Sequence, residues 1–133
     1  MSASLPAAFL DLLDQKKAFA HLATILADGS PQVTPVWFDH TGGMIRVNTA
    51  RGRVKARTLR VGAKVALSIL DPDNAYRYIQ IRGQVARVTE DGADAHIDAL
   101  AKKYMGKDTY PFRRPGEVRI TIEIAPEAAQ TMG

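Results

Sequence analysis

Residues 32–64 read QVTPVWFDHTGGMIRVNTARGRVKARTLRVGAK, a stretch that combines two strand patterns with a local concentration of positive charge. No acidic residue occurs between Asp39 and Asp71, whereas seven basic residues follow Asp39 in this stretch: Arg46, Arg51, Arg53, Lys55, Arg57, Arg60 and Lys64. We predict a binding site for an anion here, with an ordinary solvated surface as the alternative.

A strand, a glycine turn and a helix follow one another in this stretch and give the charge a geometry. Residues 33–38 and 44–49 have the composition of strands joined by DHTGG, and residues 53–61 have helical character. Such a corner directs unpaired backbone N–H groups and the positive end of the helix dipole at one point. Arg51 and Lys55 are expected beside that point. The other arginines fit a solvated face equally well: Arg53, Arg57 and Arg60.

Length and composition predict one domain over residues 1–133, without disulfides because cysteine is absent. The start of the chain does not resemble a signal peptide, and no apolar run reaches membrane-spanning length, so we expect a soluble, cytoplasmic protein. The net charge of +4 is modest, and its concentration in one stretch favours a discrete phosphate or carboxylate ligand over nucleic acid.

Two short strands are predicted to form a hairpin, AFAHLATIL at 18–26 and QVTPVWF at 32–38. Pro35 cannot donate a hydrogen bond to a neighbouring strand, so the second strand is predicted to be an edge or to carry a bulge. Backbone groups near Thr34, Val36 and Trp37 would then be available to a planar ligand.

The remaining pattern predicts a small antiparallel barrel of six strands with flanking helices. AKVALSIL at 63–70 is predicted to be buried on both faces, and residues 76–88 alternate until Gly83 indicates a bulge. Residues 117–125 alternate with Val118, Ile120, Ile122 and Ile124 inward, and residues 126–133 are predicted to be a tail. Helices are predicted near residues 5–17 and 91–105.

The sequence contains few residues that could act as a catalytic acid, base or nucleophile. His21, His40 and His96 lack metal-ligand spacing, and GxSxG, P-loop and GxGxxG motifs are absent. We therefore assign no catalytic and no metal-binding residue. A planar slot beside an anion anchor is what a protein needs when a cofactor carries the chemistry. A flavin-like ring could lie along residues 34–37 while its phosphate docks at residues 48–55.

Four segments carry a family resemblance: DGSPQVTPVWF, VNTARGRVKARTL, NAYRYIQIRGQVARV and KYMGKDTYPFRRPGEVRITIEI. With them the chain resembles the pyridoxamine 5'-phosphate oxidase-like, split β-barrel flavoproteins, and within these the flavin/deazaflavin oxidoreductases that use coenzyme F420. The resemblance implies a mainly β (α+β) fold, a six-stranded antiparallel split β-barrel with flanking helices. It also implies a homodimer with two cofactors at the subunit interface.

The resemblance further implies roles for particular residues. The ring would be lined by Thr34, Pro35, Val36 and Trp37. Its polar edge or ribityl chain would be held by Asn48 and Thr49. The phosphate would be bound by Lys55 with Arg57, near Arg51. The partner subunit would contribute Tyr78 and Arg82. The anionic tail of the deazaflavin would meet Arg113 and Arg114, unless these are solvated.

The sequence departs from the family pattern at two points and leaves three functional hypotheses. Thr58 stands where many relatives have Asn, and the chain lacks the C-terminal Arg- and Trp-containing segment that holds vitamin B6 substrates, so vitamin B6 oxidation is disfavoured. The first hypothesis is F420-dependent hydride transfer to a conjugated small-molecule acceptor. The second is an FMN-dependent oxidoreductase or electron carrier. The third is a non-enzymatic module that binds nucleic acid or another anion.

Overall fold

The computed structural model describes residues 4–133, which form one seven-stranded antiparallel sheet with three short α-helices. The strands are β1 (Ala20–Ile25), β2 (Pro31–Val36), β3 (Asp39–Thr41), β4 (Met44–Ala50), β5 (Lys64–Leu70), β6 (Tyr78–Thr89) and β7 (Arg119–Met132). The helices are α1 (Leu10–Asp14), preceded by a 3-10 turn at Ala7–Phe9, α2 (Val54–Thr58) and α3 (Ala93–Met105). The strand order is β2-β1-β5-β6-β7-β4-β3.

The hydrophobic core lies on one face of this sheet, where the apolar residues of the strands meet α1. In β5, Val65, Leu67 and Ile69 are buried while the residues between them are partly or fully exposed. The prediction that this strand is buried on both faces was therefore wrong. An antiparallel sheet packed on one side needs an apolar residue at every second position, and the intervening Ala66 and Ser68 are small enough to imitate a continuous apolar run.

Pro35 lies in an edge strand, as its missing N–H group predicted. Among the described residues β2 pairs with β1 alone, with Pro35 opposite His21. The outer row of backbone groups on β2 therefore has no strand partner. This open row is the feature that positions the candidate site.

Gly83 marks a bulge in the long strand β6, which confirms the sequence prediction. The register between β6 and β7 shifts between Arg82 and Gly83 and again between Val85 and Arg87. A Cβ atom at Gly83 would overlap the backbone carbonyl oxygen of Ala125, so only glycine allows the two strands to approach this closely. The bulges bend β6 so that the sheet curves around the core.

Three details of the sequence prediction needed correction. The sheet has seven strands instead of six because Asp39–Thr41, predicted as a turn, pairs with β4 as β3. Residues 126–132 continue β7 instead of forming a tail, since Met132 still pairs with Tyr78 of β6. Val118 precedes β7 and is 42% exposed instead of facing inward. The sheet remains open: its two edge strands, β2 and β3, are not neighbours in the strand order of the described chain.

No helix of the described residues is both long enough and apolar enough to cross a lipid bilayer.

Candidate functional site

A groove of about 390 Å³ lies between the edge strand β2, the end of β4, α2 and α3, and the loop at residues 106–118. It brings together seven residues that the sequence analysis had selected: Thr34, Pro35, Val36, Trp37, Asn48, Thr49 and Lys55. Four of them lie on or directly after β2, two lie on β4 and Lys55 lies on α2, although β2 and β4 are distant in the strand order of the sheet. The open backbone row of β2 forms one rim of the groove.

Four other selected residues lie outside the groove. Arg51 donates through Nε to the Glu90 carboxylate at 2.7 Å on the surface. Arg57 lines a second cavity, of about 740 Å³, between α2 and the turn that follows β1. Tyr78 and Arg82 lie on β6, where Arg82 is exposed and pairs with Ala66 and Ala128 on the sheet face opposite the core. A single chain therefore does not bring these four residues to the groove.

Aromatic side chains form one wall of the groove. Trp37 stacks on Tyr104 with a centroid distance of 5.3 Å and an interplanar angle of 9°, and Tyr104 stacks in turn on Phe19. Tyr110 packs edge-on against Trp37 at 6.1 Å and against Phe112 at 5.7 Å. Such a wall offers flat apolar surface to a planar ring.

A hydrogen bond to the backbone fixes the position of Tyr104. Its hydroxyl group donates to the carbonyl oxygen of Ala18 at 2.7 Å. Burial raises the pKa of Tyr104 to about 12, so the phenol stays neutral at physiological pH and retains its proton for this hydrogen bond. The stack under Trp37 is therefore a rigid support rather than an acid or a base.

The loop at residues 106–118 is held against α3 by ion pairs. Asp98 Oδ1 accepts from the backbone N–H of Tyr110 at 2.9 Å and from Nη2 of Arg113 at 2.6 Å, and Arg113 also donates to Asp94. The bond from the Tyr110 amide lowers the pKa of Asp98, burial opposes it, and Arg113 lowers it further. Arg113 is thus engaged within the chain, whereas Arg114 is exposed.

Lys55 supplies a positive charge to the groove. Its side chain forms no ion pair among residues 4–133, and burial together with the nearby charge of Arg53 lowers its pKa. A cation in these surroundings gains free energy when an anion approaches it, since the anion replaces lost hydration. The helix that carries Lys55 has five residues, so the side chain rather than a helix dipole supplies this attraction.

A buried polar network underlies the groove where β4, β7 and α3 meet. His96 is 4% exposed; its Nε2 lies 3.3 Å from Asp39 Oδ1, and its Nδ1 lies 3.1 Å from both Asn48 Nδ2 and Thr121 Oγ1. With its hydrogen on Nε2, the ring donates to Asp39, and the single lone pair of Nδ1 is shared between the Asn48 amide and the Thr121 hydroxyl group. Asn48 then accepts from Nε of Arg119 at 2.8 Å. The network fixes the floor of the groove.

Several groove residues were missed by the sequence analysis. Arg119, Tyr110 and Phe112 line it, as do Ile97 and Leu100 of α3. Arg53, which the sequence fitted equally well to a solvated surface, also lines the groove. A signal was present in the aromatic loop sequence YPFRRPGE, but Arg119 gave none because it stands at the start of an ordinary alternating strand.

No group of three or more His, Asp or Glu side chains within residues 4–133 is arranged to hold a metal ion. The polar donors of the groove are an open strand edge, hydroxyl groups and cations, which suit oxygen atoms of an organic anion. The fold and groove together define a split-barrel protein whose groove is lined by aromatic, hydroxyl and cationic side chains.

Comparison with known proteins is consistent with this class. The family model described as pyridoxamine 5'-phosphate oxidase matches residues 5–133. The chain belongs to this family, which consists of flavin-type oxidoreductases of the split-barrel fold. No match was found among curated proteins.

Solved structures with the same fold include one that is substantially similar in sequence. A protein named F420 Reductase is 33% identical, with a TM-score of 0.81 over 95% of this chain and 98% of that chain. An FAD and heme binding protein from Mycobacterium smegmatis is 21% identical, with a TM-score of 0.70 over 98% of this chain and 72% of that chain. General Stress Protein 26 from Bacillus anthracis is 17% identical, with a TM-score of 0.67 over 94% and 92%. The last two support the fold alone.

Proposed function

We propose that this protein is an F420-dependent oxidoreductase that transfers a hydride from reduced deazaflavin to a conjugated small-molecule acceptor. The observation that carries the proposal is the groove itself: an open strand edge, an aromatic wall and Lys55 converge in a chain that is 33% identical to a protein named F420 Reductase. The bound coenzyme would supply the hydride chemistry. The chain would supply binding, orientation and exclusion of water.

The groove fits the expected parts of such a coenzyme. The ring would lie along residues 34–37, where the outer backbone groups of β2 are available for in-plane hydrogen bonds. Thr49 and Asn48 lie further along the floor and would meet the polar edge of the ring or its ribityl chain. Lys55 would bind the phosphate as a half-buried cation. No acid, base or nucleophile of the chain is assigned to the reaction.

A homodimer belongs to the same proposal. The sheet face opposite the core exposes large apolar side chains on its strands, among them Ile25, Leu70 and Met132. Tyr78 and Arg82 lie on this face, so a second copy packed there could offer both residues to the groove of its partner. Sedimentation velocity measures this directly, and Leu70→Asp is expected to produce monomers. A wild-type protein that sediments as a monomer at micromolar concentration would contradict this part of the proposal.

FMN is the alternative ligand because it also presents a phosphate to Lys55. The chain contains a single tryptophan, Trp37, which lines the groove, so its fluorescence reports ring binding there. Titration with F420 and with FMN should give the tighter curve for F420. A tighter curve for FMN selects the FMN-dependent alternative.

The third hypothesis is tested in the same titration. A nucleic-acid or general anion site would lose affinity steeply with added salt and would leave Trp37 fluorescence unchanged. If neither coenzyme quenches Trp37 at any salt concentration, the oxidoreductase proposal fails.

A further inference from the structure

Arg119 has a buried guanidinium group, and one of its three nitrogen atoms has no hydrogen-bond acceptor among the described residues. Its side chain is 3% exposed, Nε donates to Asn48 Oδ1 at 2.8 Å, and Nη1 donates to Glu117 Oε1 at 2.6 Å. Nη2 donates to no residue among those described. Since no buried side-chain donor of residues 4–133 lacks a partner, Nη2 must be accessible, and the cavity that Arg119 lines is the groove.

The position of this guanidinium group is fixed by its neighbours. Its Cζ lies 5.2 Å from the centroid of the Tyr110 ring, on the wall of the groove. Asn48, which holds Nε, is itself tied to the carbonyl oxygen of Ala93 and to His96. A donor held on several sides keeps its direction whether or not a ligand is present, which is the requirement for preorganised electrostatic stabilisation.

The charge of Arg119 is largely balanced within the protein. Glu117, whose side chain is 8% exposed, binds Arg119, and its second oxygen atom lies 3.9 Å from Arg53. Lys55, which has no acidic partner among residues 4–133, is the stronger site for the permanent charge of a phosphate. Nη2 therefore suits an oxygen atom that is neutral when the ligand binds and becomes negative during the reaction.

We propose that Arg119 Nη2 binds the carbonyl oxygen of the acceptor, an α,β-unsaturated carbonyl compound. This inference rests on the proposed hydride transfer. With the coenzyme bound, the β-carbon of the acceptor would receive a hydride from the reduced ring, which would thereby lose two electrons. The C=C π electrons move toward the carbonyl group, whose oxygen becomes an enolate that accepts the hydrogen bond from Nη2. Water then protonates the α-carbon and the C=O bond re-forms, which yields the saturated carbonyl compound.

A phenol probe tests the donor without any coenzyme. 4-Nitrophenol is a planar conjugated molecule whose phenolate resembles an enolate and absorbs visible light. Bound beside Nη2, its phenolate should bind about tenfold or more tightly than the phenol, as a charge-assisted hydrogen bond predicts. The measurement is a set of absorbance titrations at several pH values.

Three substitutions give results of different sign. Arg119→Gln should lower the preference for phenolate by about tenfold, because Lys55 still lines the groove. Glu117→Gln keeps a hydrogen-bond acceptor for Nη1 but removes the balancing charge, so the preference should increase several-fold. Arg87→Gln removes an arginine of β6 that pairs with Glu123 of β7, away from the groove, and should leave the preference unchanged.

The outcomes separate this inference from the coenzyme assignment. A wild-type protein without a phenolate preference, or an Arg119→Gln protein that keeps it, overturns the inference. If Arg119→Gln does not fold, Glu117→Gln decides: an increased preference for phenolate supports the inference and an unchanged preference refutes it.

F420 titration of Arg119→Gln identifies which oxygen atom Nη2 binds. Unchanged coenzyme affinity supports the carbonyl oxygen of the acceptor, whereas a tenfold loss of affinity assigns the contact to the coenzyme and overturns the inference. Failure of F420 and FMN to bind wild-type protein would refute the proposed function without altering the phenol result.

Discussion

Asn48 Oδ1 lies 2.8 Å from Nε of Arg119, and the other end of the same amide group donates to the carbonyl oxygen of Ala93 at 2.9 Å. One side chain of β4 thereby joins β7 to the beginning of α3. Both ends of the amide are hydrogen-bonded within the protein, so its principal effect on a ligand is to hold Arg119. Any direct contact of Asn48 with a cofactor would use the second lone pair of Oδ1.

Asn48→Ala is expected to lower the free energy of unfolding by about 1–3 kcal/mol, because it leaves buried partners on Arg119 and Ala93 unsatisfied. Urea denaturation measures this change. Lys17→Ala, an exposed change after α1, should shift the free energy by less than about 0.5 kcal/mol. Equal effects of the two substitutions would show that the network contributes nothing to stability.

The strands that could be predicted from sequence are those with a local signal. Pro35 identified an edge strand and Gly83 a bulge, because each residue has a backbone property that fits few positions. The short strand β3 had no such signal: its three residues lie in a turn-rich sequence and pair with β4, where Arg46 binds the Asp39 side chain. The end of β7 is likewise defined by pairing with β6 rather than by its own composition.

The same distinction applies to the groove. Residues 34–37 are contiguous, so their common position at a strand edge follows from one local feature. Arg119 reaches the groove through the register of β4 with β7, in which it pairs with Ala50, and that register depends on the whole sheet. Tyr110 depends on Asp98, twelve residues earlier on α3. Contacts of this kind are invisible to periodicity in a single sequence.

Lys55→Met is expected to weaken binding of a phosphate-bearing coenzyme by about tenfold to a hundredfold, since a charge-assisted hydrogen bond is lost. Arg57→Met changes a cation that lines the second cavity instead of the groove, so a smaller loss is expected. Trp37 fluorescence titrations of both variants make the comparison. A larger loss of coenzyme affinity for Arg57→Met than for Lys55→Met would indicate that the phosphate binds in the second cavity.

Asp98→Ala is expected to release the loop that carries Tyr110 and Phe112 from α3. Because the aromatic wall would then be less ordered, the apparent KM for the acceptor should rise roughly tenfold with a smaller change in kcat. Trp37 emission should shift toward longer wavelength as its packing with Tyr110 loosens. Asp94→Ala is the matched control, since it removes one bond to Arg113 and keeps the bond from the Tyr110 amide. Identical behaviour of both variants would argue against a role for Asp98 in positioning the wall.

Asp39 is expected to contribute acid-sensitive stability. Burial of the Asp39 carboxyl group favours its protonated form and would raise its pKa. Hydrogen bonds from His96 and from Arg46, whose two bonds are 2.7 and 2.8 Å long, outweigh this effect. The net result is that the pKa of Asp39 falls from 3.8 to about 2. A carboxyl group whose pKa is lower in the folded state stabilises the fold above its unfolded pKa. That contribution is lost as the pH falls from about 4 through about 2, and its size is about 2 kcal/mol.

The measurement of this effect is a difference between two proteins, because other carboxylates titrate in the same range. The free energy of unfolding of wild type minus that of Asp39→Asn should be larger at about pH 6 than at about pH 2, by about 2 kcal/mol. Asp108→Asn removes a carboxylate that is 92% exposed and paired with an exposed lysine, and its difference from wild type should stay nearly constant with pH. If the Asp39→Asn difference is equally constant, the bonds from Arg46 and His96 do not stabilise the ionised carboxylate, and the network that fixes the groove floor does not depend on its charge.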